Sequence, residues 1–318
     1  MTTMTATAPG KLILTGEYAV LDGAPAVVVA VDRRVVASMR GPVPAGSSPF
    51  LLAVAHELGT RYGDAAAQAA LGIVVDSSAF YAGNNKLGLG SSAAVTVAAT
   101  QLALELAGIS YARPEVLAVA GAAHATAQGA RGARGSGADI AAAVHGGTIR
   151  FARGVVGKLF WPQGITLLSF FTGTPADTVA LVTRVTAARA ANKAAVDAAM
   201  VAIADASQAA TLALAGPRTG TVTAVVGAFT LAGAAIDRLA IATRVDLVPD
   251  CVKAARLAMA ALGGTAKTTG AGGGDIGIAV IPATVDVTRA TRMLIECGCQ
   301  PLPLSVDEAG VDLRPGAS

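Results

Sequence analysis

The run Lys86-Leu87-Gly88-Leu89-Gly90-Ser91-Ser92-Ala93-Ala94 constrains this chain more than any other segment, because it joins a glycine turn to a helix with almost no polar face. Over residues 91–107 the non-apolar positions include Ser92, Thr96, Thr100 and Glu105, which fall close to one narrow stripe at helical spacing. Such a helix is predicted to be buried around most of its circumference. The chain can supply the surrounding core, since 53% of its 318 residues are hydrophobic and only 14% are charged. Alanine fills much of the remainder, which favours tightly packed helices over disorder. The length allows two domains or one large one.

Charge excludes some partners. The 24 Lys and Arg residues against 21 Asp and Glu leave a formal net charge of +3, with no basic run. We therefore expect no nucleic-acid partner and no membrane surface. The most apolar stretch, residues 222–236, is shorter than the roughly 18 residues of a spanning helix, contains Thr and Gly, and ends at Asp237-Arg238. The start, MTTMTATAPGK, has neither a basic nor an apolar export region. Cys251, Cys297 and Cys299 make no disulfide framework, and one Cys-x-Cys is a poor zinc site. A reduced, cytoplasmic protein is the expectation.

Along the chain, short strands are predicted at 12–14, 26–31 and 35–38, a helix at 51–62 and a strand at 71–75. Helices follow at 91–107 and 114–128, then a Gly- and Arg-rich loop (129–137) leading into 139–144. The strand 148–151 and the turn Pro162-Gln163-Gly164 mark the best boundary, predicting domains 1–162 and 163–318. Beyond it come a strand at 165–171, a long helical stretch from Pro175, and helices at 222–239 and 252–262. A glycine-rich loop (267–274), a strand at 276–281 and a helix at 285–297 complete the pattern, which is α+β without repeats.

Three segments carry chemistry. Gly88 and Gly90 free the backbone ahead of a helix whose first N–H groups are unpaired, a combination that binds phosphate. The same residues also suit a serine-capped helix after a tight turn, and they are not a Walker A loop. In Ala8-Pro9-Gly10-Lys11-Leu12-Ile13-Leu14-Thr15-Gly16-Glu17-Tyr18, Lys11 enters an apolar strand, where it must either find a partner or reach solvent. In Lys267-Thr268-Thr269-Gly270-Ala271-Gly272-Gly273-Gly274-Asp275-Ile276-Gly277 the glycines fit G-x-G-x-x-G, but a strand follows where a dinucleotide fingerprint needs a helix. Thr174-Pro175-Ala176-Asp177 reads as a helix start, with Thr174 as N-cap and an anion-facing N-terminus; Asp177 would oppose an anion.

In this order and spacing the three segments resemble the conserved motifs of the GHMP kinases, over nearly the whole chain from Ala8 to about Ile281. The resemblance implies an N-terminal domain like ribosomal protein S5 domain 2, a ferredoxin-like C-terminal domain and a site between them. Gly16-Glu17-Tyr18 and Gly135-Ser136-Gly137-Ala138-Asp139 lean towards the phosphomevalonate kinase branch, as does Asp275 closing its glycine loop. Gln128 stands where mevalonate kinases carry a Mg²⁺-binding Glu, and an amide is the weaker ligand for that hard ion.

The expectations that follow are ATP and Mg²⁺ as cofactors and a phosphorylated small molecule as acceptor, in a monomer or homodimer. Lys11 and Asp139 are the implied catalytic pair. Lys86, Gly88, Leu89, Gly90, Ser91 and Ser92 hold ATP, with Ser92 the metal contact. Glu17, Tyr18, Ser136, Gly137, Thr174, Gly270, Ala271 and Gly272 face the acceptor. Arg131 and Arg134 are further candidates to neutralise phosphates, whereas Asp139 could instead cap its helix and His124 be a satisfied helix residue.

Overall fold

The computed structural model describes residues 4–39, 48–83, 85–132, 135–216 and 221–315; Arg134 lies outside them. β1 (Met4–Thr15) and β2 (Ala26–Met39) form the spine of a six-stranded antiparallel sheet. The two short strands expected at 26–31 and 35–38 are thus one, because β2 runs on through Asp32 and Arg33, which bulge out of the ladder opposite Pro9 and Gly10. Helices α1 (Pro49–Tyr62) and α2 (Asp64–Leu71) precede β3 (Ile73–Asp76), so the second helix takes residues where a strand had been expected to start. A small hairpin, β4 (Tyr81–Ala82) with β5 (Asn85–Lys86), then presents the glycine turn.

α3 (Ser91–Leu106) is the helix with the narrow polar stripe, and Ala94, Val97, Ala98, Leu102 and Leu104 are fully buried. It packs on β1, β2, α1, α2, α4 (Arg113–Gly129) and α5 (Ala138–His145), as its composition requires. β6 (Thr148–Ala152) and β7 (Val155–Leu159) extend the sheet on the far side of β2.

The second sheet contains β8 (Ile165–Phe171), β9 (Thr265–Thr268), β10 (Ile276–Pro282) and β11 (Gln300–Pro301) in the spatial order β11-β8-β10-β9. Numbered within this half the order is 4-1-3-2, and all pairs are antiparallel: a ferredoxin-like sheet. The strands are separated by α6 (Thr178–Ala191), α7 (Lys193–Ala213), α8 (Val222–Thr243), α9 (Asp250–Ala260) and α10 (Val287–Glu296). β10 is apolar throughout because both its faces are buried. Ile276, Ile278 and Val280 belong to the core that runs under the first sheet, while Ala279 and Ile281 belong to the core formed with α7, α8 and α9.

Three expectations change. The helical stretch after Pro175 starts only at Thr178, capped by Asp177, whose Oδ1 accepts from Ala180 N at 3.0 Å, and it breaks at Asn192 into two helices. Thr174 is therefore not an N-cap: its carbonyl accepts the Asp275 N–H at 2.8 Å, which holds it in a turn. α8 has 22 residues and is long and apolar enough to cross a membrane by length and composition, unlike the stretch 222–236 alone. Here Val225, Phe229, Ile236 and Leu239 are packed into the core.

The sheets fall on either side of residue 162, but the chain does not end in the second half. Asp32 N–H donates to Ser305 O at 3.0 Å, and β12 (Asp312–Pro315) pairs with β1. Arg34 fastens this return, with Nη1 on Asp307 and Nη2 on Gly310 O at 2.7 Å. We propose that a division at 162 assigns residues 305–315 to the first half.

Candidate active site

Lys11 is placed by its neighbour. Gly10 lies so close to the glycine turn before α3 that a Cβ there would sit 2.9 Å from Leu89 O and 2.8 Å from the Phe80 ring. This approach lets Lys11 N–H donate to Leu89 O at 2.9 Å, docking the turn on β1. Gly90, at φ +76°, is the N-cap of α3, and a Cβ on it would come within 2.8 Å of Lys11 Cε. The Lys11 side chain thus runs across the amide end of α3, where no side chain caps the first turn. Two positive elements, an ammonium and a helix N-terminus, point at one region.

Carboxylates face them. Asp139 lies in the first turn of α5; the N-cap is Gly137, and Ser136 Oγ accepts from Ala138 N at 3.2 Å. Asp139 is thus not the cap, and its Oδ1 accepts only the adjacent Ile140 N–H at 3.0 Å among the described hydrogen bonds. Asp275 reaches the same region from the other half. It sits at φ +51°, its carboxylate packs against Gly88, and Oδ1 accepts from Ala176 N at 3.0 Å. Burial pulls the Lys11 ammonium pKa down, Asp139 and Asp275 pull it back up, and Lys86 adds a smaller lowering. Burial also raises the Asp275 carboxyl, against the Ala176 N–H, Lys11 and Lys86.

His124, which the sequence reading had left as an ordinary helix residue, is a buried partner of the first turn of α3. Its Nε2 lies 3.2 Å from Ser92 Oγ, and its ring stacks on Phe50 with centroids 5.3 Å apart. Burial lowers its pKa, with Asp139 opposing and Lys11 adding to the fall.

The opposite wall joins the two halves. Tyr18, at φ +61°, donates its hydroxyl to Ala271 O at 2.6 Å, and Gly270 N–H donates to Ile13 O at 3.4 Å. Burial raises the Tyr18 phenol far above its ordinary value, so it remains a donor. Beneath it, Lys267 is ion-paired with Glu17, both almost fully buried. Lys267 belongs to β9 and not to the glycine loop, which begins only at Thr269.

These elements enclose a cavity of about 220 Å³. Of the expected residues it is lined by Lys11, Asp139 and Gly88, and, among those expected to face an acceptor, by Glu17, Tyr18, Ser136, Gly270, Ala271 and Gly272. Asp275 and Gln128 also line it, and Val20, Leu21, Val179 and Val182 give it an apolar side. Lys86, Leu89, Gly90, Ser91, Ser92, Gly137 and Thr174 are outside this lining. Leu89 turns its side chain into the core and offers only its carbonyl, to Lys11. Thr174 is exposed, and Ala176 and Thr178 take its place on the wall. Arg131 is exposed beside Gly132, which lines the cavity. Among the described residues no cluster of three or more His, Cys, Asp and Glu side chains could hold a metal. The donor set therefore suits a hard cation only if phosphate oxygens and water complete its shell.

Residues 50–147 match the model of the GHMP kinases N terminal domain. The matched span takes in Gly88, Gly90, α3, α4 and Asp139, so the likeness to that domain includes the wall of the cavity around Lys11. Among individual relatives it is 29% identical to phosphomevalonate kinase of Streptomyces sp. (strain CL190), over 96% of this chain and 97% of that protein. Phosphomevalonate kinase of Streptococcus pneumoniae, solved in complex with phosphomevalonate and AMPPNP, has the same fold: TM-score 0.76 at 19% identity, over 95% of this chain and 99% of that one. The Lin0012 protein of Listeria innocua superposes with TM-score 0.84 at 21% identity, covering 99% and 100%.

Proposed function

We propose that this protein transfers the γ-phosphoryl group of ATP to the phosphate of (R)-5-phosphomevalonate, releasing ADP and the diphosphate. The observation that carries the reading is the convergence of Gly88, Lys11 and Asp139 at one wall of a cavity, with the α3 N-terminus against the Lys11 side chain and the Tyr18–Ala271 contact on the opposite wall. The similarity to phosphomevalonate kinase along almost the full length of both chains supports it.

The acceptor phosphate has a second pKa near ~6, so most of it is already a dianion at neutral pH. A strong base is therefore unnecessary, and the work is to hold two polyanions in line. In this assignment the Gly88–Ser92 backbone and the α3 N-terminus take the nucleotide phosphates. Lys11 stabilises charge on the transferring group, and Asp139 orients Lys11 and the acceptor oxygen. Ser92, already ordered by His124, would contribute to a Mg²⁺ shell shared with the triphosphate. When bound, the ion neutralises phosphate charge. Glu17, Tyr18, Ser136 and the Gly270–Gly272 backbone face the acceptor.

The test is an acceptor panel. With Mg·ATP, phosphomevalonate is expected to yield ADP and a new diphosphate resonance by phosphorus NMR. ADP from mevalonate but not from phosphomevalonate would overturn this choice of acceptor, and nucleotide binding without ADP from any acceptor would point to a sensor.

A further inference from the structure

Among the described residues Lys267 is the one lysine buried along its whole length, 1% exposed, and the assignments above leave it without a role. Its Nζ donates to Leu14 O at 2.8 Å, to Thr268 O at 2.6 Å and to Glu17 Oε1, which uses all three of its protons. Leu14 and Glu17 belong to the first half and Thr268 to β9 of the second, so this single cation ties the halves together directly under the cavity. Glu17 lines that cavity, and its second oxygen, Oε2, is buried without a hydrogen-bond partner. A carboxylate oxygen left unpaired in the interior is costly unless a donor arrives. Within the reading proposed above, the arriving donor is a hydroxyl of the acceptor.

We propose that Lys267 is a positioning residue for the acceptor: it fixes Glu17 so that Oε2 is presented to a hydroxyl group of the bound substrate. It acts through Glu17 and touches neither nucleotide nor acceptor. The charged and titratable groups facing Glu17 are Lys267 from β9 and the adjacent Tyr18 phenol, with Lys11, Asp139 and Asp275 across the cavity on its opposite wall. Burial raises the Glu17 carboxyl pKa, and of these groups Lys267 is the one that opposes the rise.

The experiment uses whichever acceptor the wild-type protein turns over, and absence of any turnover would count against the functional reading alone. Acceptor and nucleotide KM are measured between pH 7 and 9, above the acceptor's own titration near ~6, for wild type, Lys267→Met, Glu17→Gln and the double variant. In Lys267→Met the Glu17 carboxyl loses its counter-ion and takes up a proton at higher pH. Its acceptor KM is expected to rise about tenfold from pH 9 to pH 7 for each unit of pKa shift that falls within this window, while the nucleotide KM stays flat. Glu17→Gln is expected to raise the acceptor KM about equally at every pH, and the double variant to match it. A pH-independent loss in Lys267→Met, an equal change in nucleotide KM, or a double variant far worse than Glu17→Gln would overturn the proposal. If Lys267→Met does not fold, the comparison of Glu17→Gln with the charge-free double variant still decides it.

Discussion

Lys11 lies between a helix terminus that attracts phosphate and two carboxylates that hold its proton, although burial works against its charge. Replacing it by Met keeps the aliphatic stem against Gly90 and removes only the ammonium. We expect Lys11→Met to lower kcat by about 10²–10³, the usual scale for one lost transition-state donor, with thermal stability unchanged or higher. Asp139→Ala is expected to lower turnover by orders of magnitude while nucleotide affinity, read by calorimetry, stays close to wild type. His124 carries a pH signature. Burial holds its imidazole below the ordinary value, so the unfolded chain binds the extra proton first as pH falls through ~6.5. Stability is present in full above that pH and declines below it; a melting series from pH 7.5 to 5.5 should be steeper for wild type than for His124→Gln. The shared place of Lys11 and Asp139 on one cavity was legible in the sequence because each sits inside a motif. The Ser92–His124 contact was not, because it joins the starts and ends of helices 32 residues apart in the chain, with no local spacing rule to give it away.

At the scale of elements, the site depends on close approach of backbone to side chain at the start of α3. Gly90→Ala would place a methyl against Lys11 Cε and force a left-handed conformation on an L-residue, costing roughly 1–2 kcal/mol of stability. The expected signature is a fall in kcat of more than tenfold alongside that modest loss in a denaturant melt. The start of α6 shows where local rules misplace an element. Thr174-Pro175 satisfies the N-cap and first-position preferences, but the Thr174 carbonyl and the Ala176 N–H are both claimed by Asp275, so the helix waits for Asp177. Likewise Lys267 looked like the edge of a loop because a lysine is rarely buried in a strand; its partner, Glu17, is 250 residues away.

For the whole molecule, the α+β class and the separation into two sheets followed from the order of apolar segments, whereas the return of the chain did not. β12 is four residues of Asp-Leu-Arg-Pro, too short and too polar to read as a strand. It is held by pairing to β1 and by the Arg34–Asp307 ion pair, whose side chains are 16% and 9% exposed. Removing one partner of such a pair leaves the other buried and uncompensated. Arg34→Met is therefore expected to destabilise the protein by about 3 kcal/mol in urea titrations, with loss of hydrogen-exchange protection at residues 305–315 before the second sheet opens.

The same return strand orders biosynthesis. While the chain is being made, β1 and β2 leave the ribosome before the second sheet, and the edge of β1 that β12 will cover stays open until β12 has followed. The four strands of the second sheet emerge before that edge is closed. An exposed strand edge invites pairing with other nascent chains, so delays in translation between β2 and β12 should lower the yield of native protein more than equal delays placed before β1.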